Sequence, residues 1–237
     1  MTANFNACLR HATGEYIQFL CADDLLLPGS LRRMSRALAD DSRVTLAVGG
    51  RELINEHGDK IAVRKYSGKD ITIPGVQAIN RCLFGANYIG EPSAVMFRRK
   101  SGQGGFQESL SQLTDLEMWF YLLEPVLMKS LADNVCAVRR HPDQMTQQSI
   151  RSGALIDENI VLFDKYGNKP YNRKTVLNTA IRKMRIACRV WIYRNSLTDE
   201  KRDGILAAHS SKLFYFLMMP AIGRLISTWR KIVAATR

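Results

Sequence analysis

An acidic turn that follows a short apolar strand is the feature that most constrains this chain. Residues 16–20 (YIQFL) combine β-branched and aromatic side chains, which predicts a strand, and Pro28 predicts the first turn of the next helix. Asp23 and Asp24 then lie at the carboxyl end of a strand, the edge at which open α/β sheets bind ligands. Such a pair can hold a divalent metal against a phosphate. The alternative is that Asp24 caps a turn or helix while Asp23 is solvated.

The first 150 residues alternate between strand and helix patterns. Helices are predicted near residues 3–12, 28–39, 74–84 and 114–123, strands near residues 44–48, 93–97 and 135–138, and a hairpin turn at residues 55–59. This alternation predicts an α/β fold with a mostly parallel sheet and flanking helices. From residue 151 onward the pattern is helical only. We therefore expect a domain over 1–150 and an all-helical appendage over 151–237.

Basic residues are concentrated in the appendage. The 237-residue chain has a formal net charge of +12, and +11 of it comes from Arg151 onward, where 17 lysines and arginines accompany 6 acidic residues. Five scattered cysteines form no Cys-x-x-Cys pair and lie at no zinc spacing, which favours a reducing cytoplasm. The longest uncharged apolar run, 213–223, is about half the length of a membrane-spanning helix. We expect a cytoplasmic protein that does not cross a bilayer by itself.

The segment 12–31 (ATGEYIQFLCADDLLLPGSL) resembles the metal-binding segment of the family 2 inverting glycosyltransferases of GT-A fold, in which the pattern ATGEYIxFLDADDxxxPGxL is typical. The resemblance implies a Rossmann-like GT-A sheet. It also implies Asp23 as a ligand of Mn²⁺ or Mg²⁺ and Asp24 as a contact of the sugar donor. Cys21 departs from the pattern, because many members have an aspartate there.

A second segment, 105–119 (GFQESLSQLTDLEMW), is similar to the family pattern GFxExLxxxxDxELW. It implies that Asp115 is the catalytic base, which takes the proton from the acceptor hydroxyl as that hydroxyl attacks the sugar. It also implies that Glu117 is on the acceptor side. The alternative for Asp115 is structural, since Thr114 and Asp115 can cap the predicted helix and complement its dipole.

Two further segments resemble the same family. Residues 139–146 (RRHPDQMT) are similar to RxHxxQxT, which implies that Arg140 and His141 neutralise the leaving diphosphate and that His141 completes the metal shell. The alternative is a histidine that only forms local hydrogen bonds. Glu91, in residues 90–93 (GEPS), resembles the loop before the acceptor-side strand. It is interpreted as a sugar-hydroxyl ligand, with an ordinary turn carboxylate as the alternative.

The resemblance covers about residues 4–148, and the apolar strand, Pro-x-Tyr turn and Asp-Asp-x-Ser segment that supply the family's nucleoside pocket have no counterpart before residue 4. We therefore expect a chain truncated at its amino end. The implied activity is metal-dependent transfer of a sugar, with inversion, from a nucleotide-diphosphate donor to a polysaccharide or lipid-linked acceptor. The alternative is a non-catalytic remnant that acts as a binding or membrane-associated scaffold module.

The basic appendage mixes cations with apolar and aromatic residues at helical spacing in three stretches, 182–194, 212–219 and 224–232. Such helices can lie on an anionic bilayer, here the inner face of the cytoplasmic membrane. The alternative is that their apolar faces pack on the catalytic domain. Nucleic acid is the poorer interpretation of the charge, because no helix-turn-helix, zinc or aromatic-platform motif accompanies it.

Overall fold

The structure is a computed structural model that describes residues 1–124, 126–140, 154–172, 176–210, 212 and 215. The chain divides into two compact units, residues 1–144 and 145–237. The catalytic and appendage roles assigned to domains 1–150 and 151–237 stay predictions.

The first unit is built on one sheet, whose seven strands lie within the described residues. The strands are β1 (Tyr16–Gln18), β2 (Leu25–Leu26), β3 (Val44–Ile54), β4 (Lys60–Arg64), β5 (Ile71–Pro74), β6 (Val95–Arg98) and β7 (Leu127–Arg139). The main path runs β1-β6-β3-β7-β2, while β4 pairs with β3 and β5 pairs with β7. The two long strands β3 and β7 form the centre of the sheet.

Among the described residues of this unit, four α-helices accompany the sheet: α1 (Thr2–His11), α2 (Ser30–Ala39), α3 (Gly75–Leu83) and α4 (Thr114–Leu123). Helix α2 packs its buried Met34 and Leu38 against the apolar residues of β3, β6 and β7. An aromatic cluster connects α1 to α4, since the rings of Phe5, Phe106 and Trp119 follow one another at centroid distances of 5.0 and 6.2 Å. These two cores fix the ends of β1 and α4, where the predicted site residues lie.

The predicted mostly parallel sheet is wrong for the described strands. Only β3 and β7 pair in parallel, whereas the other five pairings are antiparallel. The hairpin turn at residues 55–59 explains one reversal, because Asn55 N donates to Asp59 O at 2.9 Å and Gly58 has a φ of +93°. Strand β6 enters between β1 and β3 and runs opposite to both. Alternating strands and helices indicate the class of fold but not the direction of each strand.

Strand β3 continues six residues beyond the predicted end at residue 48. The glycines at 49 and 50 lie within this strand and are points of close approach to β7. A Cβ on Gly49 would lie 2.3 Å from Cγ1 of Val135, and one on Gly50 would lie 2.5 Å from Oδ1 of Asn134. Because β3 continues, Arg51 belongs to this strand and contacts the loop before β6, at residues 87–89.

Other element boundaries follow the sequence with small shifts. Helix α4 occupies the predicted residues 114–123. Helix α2 begins at Ser30, because Gly29 has a φ of +75° and is the N-cap residue, so Pro28 lies before the helix. Residues 92–94 form a 3₁₀ turn, and β6 begins only at Val95.

The described part of the second unit is helical, with α5 (Ala154–Tyr166), α6 (Val176–Ile192) and α7 (Asp199–His209). Its core contains Ile156, Ile186, Val190 and Leu206. None of the helices described in either unit is long and apolar enough to cross a membrane. Stretch 224–232 and most of 212–219 lie outside the described residues.

Candidate active site

Ser93, which is fully buried before β6, holds the acidic turn in place. Its Oγ donates to Oδ2 of Asp24 at 2.6 Å and accepts from the backbone N–H of Cys21 at 3.1 Å. Its carbonyl accepts from Nε2 of Gln18 at 2.8 Å. The end of β1 and the turn after it are therefore bonded to the loop before β6. Sequence reasoning missed Ser93, because a serine after a proline carries no signal of its long-range partners.

The two aspartates of the turn have different environments. Asp24 is buried, and its second carboxylate oxygen, Oδ1, accepts from the backbone N–H of Arg139 at 3.1 Å. Burial raises the pKa of Asp24, while the hydrogen bonds from Ser93 and Arg139 oppose that rise. Asp23 is exposed, and its backbone carbonyl accepts from Nε of Arg139 at 3.3 Å. Asp24 is thus bonded inside the protein, whereas the side chain of Asp23 lies at the surface.

Arg139 connects the acidic turn to a second turn. Its Nη1 donates to the carbonyl oxygens of Asn55 and Glu56, both at 2.9 Å. Residues 23–24 and the 55–59 hairpin turn therefore lie side by side at the end of β7. The motif RxHxxQxT contains this arginine, but nothing in the pattern indicates that it supports two turns.

Glu91 lies between two arginines. Its Oε2 forms an ion pair with Nε of Arg51, and its Oε1 pairs with Nη2 of Arg140. Burial raises the pKa of Glu91, but the positive charges of Arg51 and Arg140 outweigh that effect and hold the pKa below its usual range. The acceptor role implied for Glu91 stays a prediction. In this structure both of its carboxylate oxygens are in ion pairs.

Arg51 is a buried cation in the middle of the fold, with 2% of its surface exposed. Its Nη2 donates to the carbonyl of Asn87 at 3.0 Å, and its Nη1 lies 3.4 and 3.5 Å from the carbonyls of Tyr88 and Ile89. Residues 87–91 therefore wrap around its guanidinium group. Gly90 makes that wrap possible, since its φ is +120° and a Cβ there would lie 2.7 Å from Nη1 of Arg51.

Asp115 lies in the first turn of α4, one helical turn before Trp119. Nε1 of Trp119 donates to the carbonyl of Gly90 at 3.0 Å, which connects this helix to the 87–91 loop. Oδ1 of Asp115 accepts from the backbone N–H of Leu116 at 2.7 Å. The N-cap residue is Leu113 and has no side-chain cap bond, so Asp115 is not the cap residue of α4.

Burial raises the pKa of Asp115 to about 7, and the negative charge of Glu91 adds to the rise. The hydrogen bond from Leu116 and the charge of Arg51 act in the opposite direction. A carboxyl group that exchanges its proton near neutral pH is suited to act as a general base.

Cys21 lies beside three of the predicted residues. Burial raises the pKa of its thiol to about 11, and the nearby charges of Asp24, Asp115 and Glu91 add to this rise. Cys21 is therefore a neutral thiol at physiological pH. The charges of the three carboxylates all act on the pKa of this thiol. These side chains come from the end of β1, the 87–91 loop and the start of α4.

The remaining predicted residues lie apart from this group or outside the described residues. Glu117 is buried within α4, two positions after Asp115 and therefore on a different side of the helix. Its acceptor role stays a prediction. His141 lies outside the described residues. A cavity of about 420 Å³ between α1 and the 99–105 loop is lined by Asn6, Leu9, Arg10, Arg99 and residues 102–105, and so by none of the predicted residues.

The predicted metal site depends on oxygen ligands at the acidic turn. Within the part of the chain that the structure describes, no three histidine, cysteine or acidic side chains form a ready metal-binding group. A Mg²⁺ or Mn²⁺ site that takes one or two carboxylates and completes its shell with phosphate oxygens and water needs no such group. The carboxylate of Asp23 is exposed and fits that kind of site, whereas Asp24 is buried.

Comparisons with known proteins agree with this architecture. Residues 1–104 match the model of glycosyl transferase family 2. The structure matches the crystal structure of residues 1–349 of TarS from S. aureus with a TM-score of 0.54 and 13% identity, covering 82% of this chain and 52% of that one. The predicted α/β, GT-A-like fold is thereby confirmed, and the family match of residues 1–104 supports the predicted resemblance to the family 2 glycosyltransferases.

A curated relative extends the sequence match. The uncharacterized protein MT1568 of Mycobacterium tuberculosis (strain CDC 1551 / Oshkosh) is 34% identical over 157 residues, which is 60% of this chain and 47% of that protein. The chain thus spans about half the length of both proteins to which it is compared. Asp115 and Arg140 lie beyond the residues matched by the family model, so the roles predicted for them depend on the sequence motifs alone and stay predictions.

Proposed function

We propose that the first unit contributes the base and the metal-binding turn of a glycosyltransferase. The enzyme would transfer a sugar, with inversion, from a nucleoside diphosphate donor to a polysaccharide or lipid-linked acceptor. The observation that carries this proposal is Asp115, a carboxyl group with a pKa of about 7 at the start of α4, in the same environment as Asp24 and Glu91. The family match of residues 1–104 supplies the reaction class.

The proposed chemistry follows from the position of Asp115. The acceptor hydroxyl attacks the anomeric carbon from the side opposite the diphosphate, and a new C–O bond forms as the bond to the diphosphate oxygen breaks. Asp115 takes the hydroxyl proton. Because its Oδ1 accepts from Leu116, we assign Oδ2 as the oxygen that receives this proton. A carboxylate with a pKa near 7 is a stronger base than an ordinary aspartate and is still half ionised at neutral pH.

The leaving diphosphate would be held by residues other than Asp115, namely Arg140 and Asp23. Arg140 presents a guanidinium group that is 33% exposed, and it lies close enough to Asp24 to lower the pKa of that carboxyl. A guanidinium group can bind two phosphate oxygens at once. Asp23 would bind Mn²⁺ or Mg²⁺, which supplies charge neutralisation for the leaving diphosphate when it is bound.

A non-catalytic binding or scaffold module is the second candidate. It is favoured by the coverage, since the chain spans 47% of its curated relative and 52% of the TarS chain. The two candidates differ in turnover. Both allow a nucleotide diphosphate to bind, but only the enzyme consumes the sugar nucleotide.

Calorimetry of the 237-residue protein with UDP and GDP, with and without Mn²⁺, tests the proposal. We expect binding that depends on Mn²⁺ and that weakens at least about tenfold in Asp23→Ala, since a metal-held diphosphate loses its main contact. Asp40→Ala is the matched control, because Asp40 is a surface carboxylate at the end of α2 that pairs only loosely with Arg36. Release of the nucleotide from sugar nucleotides, measured in the same samples, separates the two candidates.

Nucleotide affinity that is equal with and without Mn²⁺, in the parent protein and in Asp23→Ala, would show that Asp23 is not a metal ligand. Metal-dependent binding without any turnover on supplied acceptors would favour the scaffold module. An absence of binding under all of these conditions would contradict the proposed glycosyltransferase.

We also propose that the second unit attaches the protein to the inner face of the cytoplasmic membrane. Val176 and Leu177, at the start of α6, are 90% and 67% exposed, and the exposed Lys183 follows two turns later. Apolar side chains next to cations suit an anionic lipid surface. The high net positive charge from Arg151 onward adds a long-range attraction.

Vesicle co-sedimentation tests this attachment. The double variant Val176→Glu/Leu177→Glu is expected to bind vesicles of anionic phospholipid several-fold more weakly, and salt should weaken binding of the parent protein because surface attraction is screened within about 10 Å at 0.1 M. Val161→Glu, at a 42% exposed position of α5, is the control. Equal sedimentation of all three proteins would favour the alternative that the apolar faces of these helices pack within the protein.

A further inference from the structure

The two arginines that pair with Glu91 differ in how far their side chains are held in place. Arg51 is 2% exposed and is held by backbone carbonyls of the 87–89 segment, so its guanidinium group has no room to turn. Arg140 is 33% exposed at the end of β7. Its backbone N–H is fixed to the carbonyl of Ile54 at 2.8 Å, which leaves its side chain as the movable part.

We propose that Glu91 is an internal competitor for Arg140. It pairs with this arginine when no ligand is present and releases it to an incoming diphosphate, while Arg51 keeps Glu91 neutralised. This inference rests on the proposed role of Arg140 toward a diphosphate. It assigns to Glu91 a regulatory contact with Arg140 in place of a contact with the acceptor.

The energetics favour an exchange of partners. Breaking a buried ion pair is normally strongly destabilising, because a charge is left without a partner. Here the release of Arg140 leaves Glu91 still paired with Arg51, so that penalty is avoided. A diphosphate carries more negative charge than one carboxylate and accepts two parallel hydrogen bonds from a guanidinium group. Arg140 therefore has a stronger partner to move to.

The arrangement also connects ligand binding to the base. Gly90, next to Glu91, accepts the hydrogen bond from Trp119, which lies one turn after Asp115 on α4. The negative charge of Glu91 acts on Asp115 in the direction of a higher pKa. The same short segment thus contacts the movable arginine on one side and the helix of the base on the other.

Calorimetric titration with inorganic pyrophosphate in EDTA measures this competition without metal or sugar. Glu91→Gln is expected to bind pyrophosphate about fivefold more tightly than the parent protein, the equivalent of about 1 kcal/mol for a partly exposed ion pair that no longer competes. Arg140→Gln is expected to bind more weakly than the parent. In the double variant Glu91→Gln/Arg140→Gln the gain should disappear, because the released arginine is absent.

Glu52→Gln is the control for the general loss of a negative charge. Glu52 neighbours Arg51 on β3, its side chain is 23% exposed like that of Glu91, and it pairs with Lys60. The affinity of Glu52→Gln for pyrophosphate should stay within about twofold of that of the parent protein. Circular dichroism shows whether each variant is folded.

Three results would overturn the inference: no gain in Glu91→Gln, a gain that persists in the double variant, or an equal gain in Glu52→Gln. A lack of pyrophosphate binding by all of the proteins would overturn it too. Failure of the proposed sugar transfer is a separate outcome, since that reaction is measured with Mn²⁺ and sugar nucleotides and with Asp23→Ala.

Discussion

Asp115→Asn is expected to lower sugar transfer by about 10²- to 10⁴-fold, the range that a general base contributes. The change removes a proton acceptor but little volume, and the asparagine oxygen can still accept from the N–H of Leu116. Binding of a nucleotide diphosphate with Mn²⁺ should therefore be unchanged. Transfer by the parent protein should increase with pH up to about 7, as the carboxyl group loses its proton. Near-normal turnover by the variant would refute the assignment of the base.

The same variant has a second readout that does not require activity. The folded protein holds the pKa of Asp115 at about 7, above its ordinary 3.8, so between those values the folded state binds the proton that the unfolded state has lost. Stability must then fall as pH rises from about 4 to 7, by up to about 4 kcal/mol at and above pH 7. Asp115→Asn should remove this fall and be the more stable protein at pH 8.

Urea unfolding at pH 5 and pH 8 measures this difference. Asp133→Asn is the control, because the carboxylate of Asp133 is 67% exposed and pairs with Arg33 at the surface. That substitution should change stability by less than about 0.5 kcal/mol. If Asp115→Asn gave no gain at pH 8, the carboxyl group would not be buried as described.

Arg51→Met is expected to lower the free energy of unfolding by about 3–5 kcal/mol, the cost of leaving a buried charge without its partner. Glu91 would keep only Arg140, and the carbonyls of Asn87, Tyr88 and Ile89 would lose their donor. Adding Glu91→Gln should recover part of the loss, because the carboxylate that has lost its buried partner Arg51 is then absent. Recovery should be incomplete, since the three carbonyls still lack a donor.

Denaturant unfolding of the single and double variants tests this expectation. Arg36→Met is the control, because Arg36 is 80% exposed and its ion pair with Asp40 is a surface pair along α2. Such a pair contributes about 0–1 kcal/mol. Should Arg51→Met be as mild as Arg36→Met, Arg51 would not be the residue that organises the 87–91 loop.

Local patterns were enough to predict several parts of this molecule. The period of apolar residues gave helix α4 with its observed ends, and the helical character of the described residues after 153 follows from the same signal. The acidic turn and the motifs that carry the family resemblance are likewise recognised from residues that are adjacent in the sequence. Asp23, Asp24 and Asp115 could therefore be selected as candidates without a structure.

Other features depend on contacts between distant segments. Ser93 bonds to a residue 69 positions away, and Arg51 bonds to carbonyls 36 to 38 positions away. No periodicity encodes such partners, because each segment is compatible with many neighbours until the sheet brings them together. The direction of β6 was missed for a related reason, since strand patterns are the same in parallel and antiparallel sheets, whereas the hairpin turn did indicate the direction of β4.

The sequence by itself determined the similarity of residues 1–104 to glycosyltransferase family 2, the start of helix α4 and the identity of the acidic turn, because each depends on residues close to one another in the chain. Only the tertiary structure decided that Asp24 points inward while Asp23 lies at the surface, and that Glu91 joins two arginines. The physical reason is burial. The charge state and the partners of a side chain depend on what surrounds it in the folded protein, and these surroundings come from residues that are remote in sequence.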